Sequence, residues 1–271
     1  MRYFIVFASL FLGLATQALA QIADETPLVT LETGEASRGW EGVGRLDIDG
    51  TGFCTAALIE ERLILTAAHC VYGQNGRLLP AEAFQFNAGL RGGRAEATRG
   101  VNRLVAHPEY IFTGKTGRAG GVAMDIAVLE LDRSIRLTRV QPFDVAADPR
   151  RGDQIGVVSY GRGRANAASL QEVCSVMGRQ SGVLIMTCDI EPGSSGAPVF
   201  TLENGKPRIV SVVSSMSSLG EREVSLGTSL NEPLQELLRH FASVGPAKPG
   251  GSQRLIQMGE RNDTGAKFVR P

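Results

Sequence analysis

The chain is poor in the residues that would mark it for a metal, a nucleic acid or a membrane. Its three histidines, His69, His107 and His240, are scattered over 271 residues, and its four cysteines form no C-x-x-C pair, so no zinc or other metal site is expected. An excess of one charge is missing too. The 28 Lys and Arg balance the 28 Asp and Glu and are interspersed with them, which removes the electrostatic case for nucleic acid or an anionic membrane as partner. After residue 20 no segment is long and apolar enough to cross a bilayer. Helical periodicity is clear in one stretch alone, near the C-terminal end, and no internal repeat is evident.

What is present begins with a leader. Met1-Arg2 supplies a positive start, Phe4 to Leu14 an apolar run, and Ala18-Leu19-Ala20 a small-residue cleavage site. Residues 1–20 therefore read as a secretory signal peptide, and the mature chain as exported, secreted or periplasmic, without a membrane span. Four cysteines in such a chain suggest two disulfides. Residues 21–39 are polar with few periodic apolar positions, as in a loose N-terminal arm or a short pro-segment.

From Val43 the pattern changes to short apolar runs punctuated by glycine: Val43 to Ile48, Phe53 to Ile59, Leu63 to Thr66, Ala83 to Ala88, Val101 to Ala106 and Ile126 to Leu131. Asp49-Gly50 is a hairpin signal. Ile135 to Arg151 reads as a connector, after which runs resume at Gln154 to Tyr160, Val173 to Met177, Val183 to Thr187, Pro198 to Leu202, Arg208 to Ser214 and Val224 to Leu230, with Asn204-Gly205 as another tight turn. Short strands at this spacing predict an all-β fold, an antiparallel sandwich or barrel. Residues 40–135 and 152–230 form two β-rich halves of one unit, 40–244. A helix over 231–242 closes it, with Asn231 as cap, Pro233 in the first turn, and Leu234, Leu237, Leu238 and Phe241 on one stripe. Residues 245–271 read as a linker-like tail.

Chemistry concentrates in Cys188-Asp189-Ile190-Glu191-Pro192-Gly193-Ser194-Ser195-Gly196-Ala197-Pro198. Gly193 can bring its N–H close to a substrate, and with the N–H of Ser195 it could form an oxyanion hole. Taken alone, Pro-Gly-Ser-Ser-Gly is better read as a surface turn. Two upstream motifs change that reading. In Thr66-Ala67-Ala68-His69-Cys70 a histidine ends an apolar strand, and a bridge from Cys70 to Cys54, sixteen residues earlier, would staple the turn that presents it. A side chain that titrates near neutral pH suits proton transfer there; the structural reading is a buried histidine beside a disulfide. Asp125 opens the apolar strand Ile126 to Leu131, where an unpaired carboxylate is costly. Accepting a proton of His69 would satisfy it; otherwise it is a turn residue facing water.

With His69, Asp125 and Ser195 in this order, the chain resembles the trypsin/chymotrypsin superfamily of serine endopeptidases over about residues 40–242, and within it the bacterial glutamyl-endopeptidase-like (V8-like) branch. The resemblance implies two six-stranded antiparallel β-barrels with the site in the cleft between them and a C-terminal helix. It implies a triad of Ser195 as nucleophile, His69 as base and Asp125 as its orienting acid, with the Gly193 and Ser195 amides as oxyanion hole. It also implies that Ser214 helps hold Asp125 and that Ser214, Ser215 and Met216 pair with substrate backbone. Cys174 and Cys188 bracket one hairpin and are paired. Ser194 stands where animal trypsins carry the aspartate of their zymogen switch, so that switch is not expected. Val213 stands where glutamate-selective relatives carry a histidine, and Ile190 takes the other pocket position, which argues against glutamate selectivity. Asp189 falls where trypsin-like enzymes read Arg or Lys, and a structural hydrogen-bonding role for it stays open beside that one.

The mechanism so implied needs no cofactor. The expected partners are protein or peptide substrates, and the expected state is a monomer. The alternative is a binding protein on the same fold, an adhesin or assembly factor without activity, against which the intact triad positions argue. A regulatory protease of the HtrA type would need an appended domain larger than the stretch after Gly245.

Overall fold

The computed structural model describes residues 25–50, 52–114, 119–203 and 205–245. The leader, the tail after Gly245 and Asn204 of the second turn signal lie outside them. Six strands form the first closed barrel: β2 (Val43–Ile48), β3 (Gly52–Glu60), β4 (Leu63–Thr66), β5 (Phe84–Ala88), β6 (Ala97–Ala106) and β7 (Ala127–Leu131), paired in the order β2-β3-β4-β7-β6-β5. Six more form the second: β8 (Gln154–Ser159), β9 (Ser169–Gln180), β10 (Val183–Met186), β11 (Pro198–Glu203), β12 (Lys206–Leu219) and β13 (Arg222–Ser229). Their sheet runs β9-β10-β13-β12-β11-β8 and closes by pairing β8 back to β9. Every pairing within the two barrels is antiparallel, as the short alternating runs predict.

The strands read from sequence agree with those observed to within a few residues, and β9 and β12 are much longer than their apolar centres. Ser169–Gln180 and Lys206–Leu219 continue through polar residues because ladder hydrogen bonds do not require apolar side chains. The N-terminal arm needs correction. Val29–Thr30 form a strand, β1, on the edge of β9, Leu31 is buried, and Ser37 Oγ accepts from Arg91 between β5 and β6, so the arm docks on both barrels rather than hanging loose. A two-residue strand has no periodicity to detect.

The connector is stitched to both barrels. Phe143 N–H donates to Leu58 O at 2.9 Å, and Ile209 N–H donates to Asp144 O at 2.8 Å. Trp40 and Phe143 meet Phe200 of β11 with centroids 5.0 and 4.8 Å away, in edge-on geometry favourable to aromatic quadrupoles. A single buried cluster runs from the first barrel into Phe200, Ile209, Val212 and the final helix. The short helix α1 spans Ala119–Val122, and α2 spans Asn231–Val244. Leu234, Leu237 and Phe241 of α2 are buried as the stripe predicts, but the N-cap is Leu230, with Asn231 already helical and giving no side-chain cap. Burial of Leu230 fixes the entry of the chain, and Leu234 N–H bonds to its carbonyl at 3.0 Å.

Candidate active site

His69 lies on a single 3-10 turn, Ala68–Val71, directly after β4. The turn is anchored by the Cys54–Cys70 disulfide, which ties it to β3. Asp125 ends the loop before β7 and is 2% exposed. Its carboxylate takes the His69 backbone N–H on Oδ1 at 2.8 Å and faces His69 Nδ1 with Oδ2 at 2.7 Å. A carboxylate so placed can only accept, so Nδ1 carries the imidazole proton and Nε2 keeps its lone pair. Ser214, on β12 of the other barrel, donates its hydroxyl to the same Oδ2. Burial and the Asp125 charge together push the nearby Tyr110 phenol well above its ordinary pKa, so it stays a neutral neighbour.

The loop that carries Ser195 is held by the first barrel. Thr55 N–H donates to Ser195 O at 2.8 Å, Thr55 Oγ1 to Gly193 O at 3.0 Å, and Thr66 Oγ1 to Thr55 O at 2.8 Å. Both threonines are fully buried. Sequence reading passed over them, although a threonine in the otherwise apolar run Phe53 to Ile59 is the available signal: a buried hydroxyl must find a partner. Gly196 packs so tightly here that a Cβ would stand 2.1 Å from Thr66 Oγ1 and 2.2 Å from Thr55 O. Gly193 adopts φ 103°, and a Cβ on it would meet Phe53 Cε2 at 2.5 Å. Among the described residues the Gly193 and Ser195 amides donate to no protein acceptor, and the Ser195 hydroxyl has no bonded partner. Ser195 and Gly193 are both half-buried, and a groove of about 360 Å³ is lined by His69, Gly193, Phe53, Tyr72, Pro192 and Arg162.

The remaining predicted residues are distributed unevenly. Ile190 and Val213 belong to the apolar cluster of the second barrel. Ser215 is buried with its hydroxyl unpaired, and Met216 is half exposed. Asp189 is exposed, and its backbone N–H is taken by Gln171 Oε1 at 2.7 Å. The second disulfide is Cys174–Cys188, as paired from the resemblance. Among the described residues one grouping has metal-like proximity, Cys54, His69 and Cys70, and both its sulfurs are committed to the disulfide. That leaves a single ligand atom, too few for a metal.

Residues 50–207 match the family model for the trypsin-like peptidase domain, a segment that holds His69, Asp125 and Ser195. The chain belongs to this family. It is 27% identical over 167 residues to serine protease SP24D of Anopheles gambiae, an alignment covering 54% of this chain and 58% of the mosquito protein. The chain thus spans little more than half the length of that relative. Its fold is similar to that of a Glu endopeptidase solved in complex with MPD, with a TM-score of 0.66 at 20% identity, covering 82% of this chain and 98% of the other. The two six-stranded barrels and terminal helix of this family member are a chymotrypsin-like fold.

Proposed function

We propose that this chain is an exported serine endopeptidase that hydrolyses peptide bonds through an acyl-enzyme. The observation that carries the reading is the buried Asp125 carboxylate bonded to His69 Nδ1, which leaves Nε2 free as a base. In this reading Ser195 Oγ attacks the scissile carbonyl while His69 Nε2 removes its proton. Asp125 holds the tautomer and stabilises the imidazolium, and the Gly193 and Ser195 amides receive the oxyanion. His69 then protonates the leaving amine, and water repeats the sequence to release the acid. Ser214 to Met216 would add the acyl side of the substrate as a strand on β12. The two disulfides support an oxidising compartment, periplasmic or extracellular, and among the described residues no helix is long and apolar enough to cross a membrane.

For the P1 side chain, the apolar packing of Ile190 and Val213 supports an uncharged residue over glutamate, and the exposure of Asp189 weakens the case for Arg or Lys. A fluorophosphonate probe tests the mechanism. It should add one covalent mass to Ser195, and His69→Ala should abolish the labelling; label elsewhere, or label that survives His69→Ala, sinks the reading. Cleavage of a peptide library by the same preparation ranks P1 residues, and a strong preference for a charged P1 overturns that part alone.

A further inference from the structure

Behind the Ser195 loop sits one largely buried cation. Arg164 ends the 3-10 turn Arg162–Arg164, and its side chain is 12% exposed. Desolvation lowers its pKa while Glu191 works in the opposite direction, and a guanidinium keeps its charge against such a penalty. A cation withdrawn from water needs partners, and these come from Glu191 and Ser194 of this loop and from Ser159 at the end of β8. Arg164 Nε lies 2.8 Å from Glu191 Oε1; one Nη donates to Ser159 O, and the other donates to Ser159 Oγ at 3.0 Å and Ser194 Oγ at 3.3 Å.

The turn it grips is tightly specified. Ser194 is fully buried, and its N–H donates to Glu191 O at 2.8 Å while its Oγ accepts the Glu191 N–H at 3.3 Å. Arg162 N–H donates to Pro192 O at 2.8 Å. At Gly161 a Cβ would stand 2.1 Å from Glu191 Oε1, so the carboxylate lies against bare backbone to reach the guanidinium. Arg164 itself lines a recess with Thr30, Glu32 and Arg91 and does not line the groove of His69, which adjoins that recess at Arg162.

We propose that Arg164 is a positioning residue: by gripping Glu191 and Ser194 from outside the groove, it holds the turn Glu191–Ser194 so that the Gly193 and Ser195 amides converge on the oxyanion. Arg164 touches neither substrate nor His69. Its effect passes through the geometry of two amides, where displacement by about 1 Å costs on the order of 10²-fold in rate. The inference rests on the peptidase reading, because that reading supplies the charge for those amides to meet.

Arg164→Ala, with Arg164→Gln as a bulkier replacement and Glu191→Gln to break the pair from its other side, tests it. In the folded variants kcat on a peptide ester should fall about 10²-fold with KM little changed, and affinity for a peptidyl boronate should fall in parallel. Added guanidinium ion should restore part of the turnover of Arg164→Ala and none of that of Arg164→Gln, whose side chain fills the space. Hydrogen exchange at the Ser194 amide should accelerate in both, with amides of β12 unchanged. Folded variants with wild-type kcat and boronate affinity overturn the proposal. So does unchanged Ser194 exchange, and that readout still decides the matter if the wild-type protein hydrolyses nothing, a result that would count against the peptidase reading instead.

Discussion

The Ser214 hydroxyl of β12 and the Asp125 carboxylate before β7 bond across the two barrels, on the same carboxylate oxygen that faces His69 Nδ1. One buried anion is thereby held from both halves of the molecule, with the His69 amide on its other oxygen. The orientation of His69 thus depends on the barrels keeping their relation to each other.

Replacing Asp125 by Asn keeps the shape but offers His69 an N–H or a neutral oxygen in place of an anion. The expected outcome is a fall of about 10⁴-fold in kcat with the fold retained. Ser214→Ala removes the bond from the second barrel only; it should cost roughly 1.5–3 kcal/mol in urea unfolding and reduce kcat less than Asp125→Asn. Equal losses of kcat in the two variants would contradict this division of labour.

Gly196 and Gly193 should respond differently to alanine. Both have positive φ, 80° and 103°. At Gly196 the new methyl meets backbone and a buried hydroxyl, whereas at Gly193 it meets the ring edge of half-buried Phe53. Gly196→Ala is therefore expected to lower the melting temperature strongly, by more than ~3 kcal/mol in stability. Gly193→Ala should fold and lose on the order of 10²-fold in kcat. Thermal unfolding beside active-site titration separates the two outcomes.

The disulfides close loops of similar size, with separations of 16 and 14 residues, so by chain entropy removal of either should cost ~3 kcal/mol. Their functional effects should differ. Cys54→Ser/Cys70→Ser releases the turn that presents His69 and should slow fluorophosphonate labelling in the folded protein, more than Cys174→Ser/Cys188→Ser does at matched temperature below each midpoint.

His107 supplies a pH dependence of stability. Its side chain is fully enclosed, its Nδ1 accepts the Glu109 N–H at 3.2 Å, and its Nε2 lies 3.7 Å from Glu236 of α2. Burial lowers its pKa below 6.5, outweighing the opposite pull of Glu236 and Glu109, with His240 adding a smaller lowering. Below about pH 6.5 the unfolded chain then binds a proton the folded chain resists, so stability falls as pH drops. His107→Gln should flatten the melting temperature between pH 7 and pH 5; an unchanged slope would show that other groups govern it.

Much of this was legible along the chain. Alternation of apolar runs with glycine-rich turns encodes strands, because side chains on a pleated strand face core and solvent in turn. The neighbourhoods of His69, Asp125 and Ser195 stand out because each breaks a local rule: a histidine at a strand end beside cysteine, a carboxylate opening an apolar strand, a serine between glycines. The anchored N-terminal arm, the true cap of α2, and the roles of Thr55, Thr66 and Arg164 were not legible. Each depends on which groups meet in space, whether 138 residues apart as Thr55 and Gly193 or 30 apart as Arg164 and Ser194, or on the burial of a neighbouring residue.

The sequence by itself determined the all-β character, the number and approximate limits of most strands, the triad candidates and the Cys54–Cys70 bridge, since these follow from local patterning and from residue types whose chemistry is rare; the Cys174–Cys188 pair came with the family resemblance. Tertiary structure alone decided that one carboxylate is shared by two barrels, that two buried threonines carry the Ser195 loop, and that Arg164 gathers Ser159, Glu191 and Ser194 around itself. Hydrogen bonds of that kind are set by distance in space, and the spacing of residues along a chain does not contain that distance until the barrels have closed.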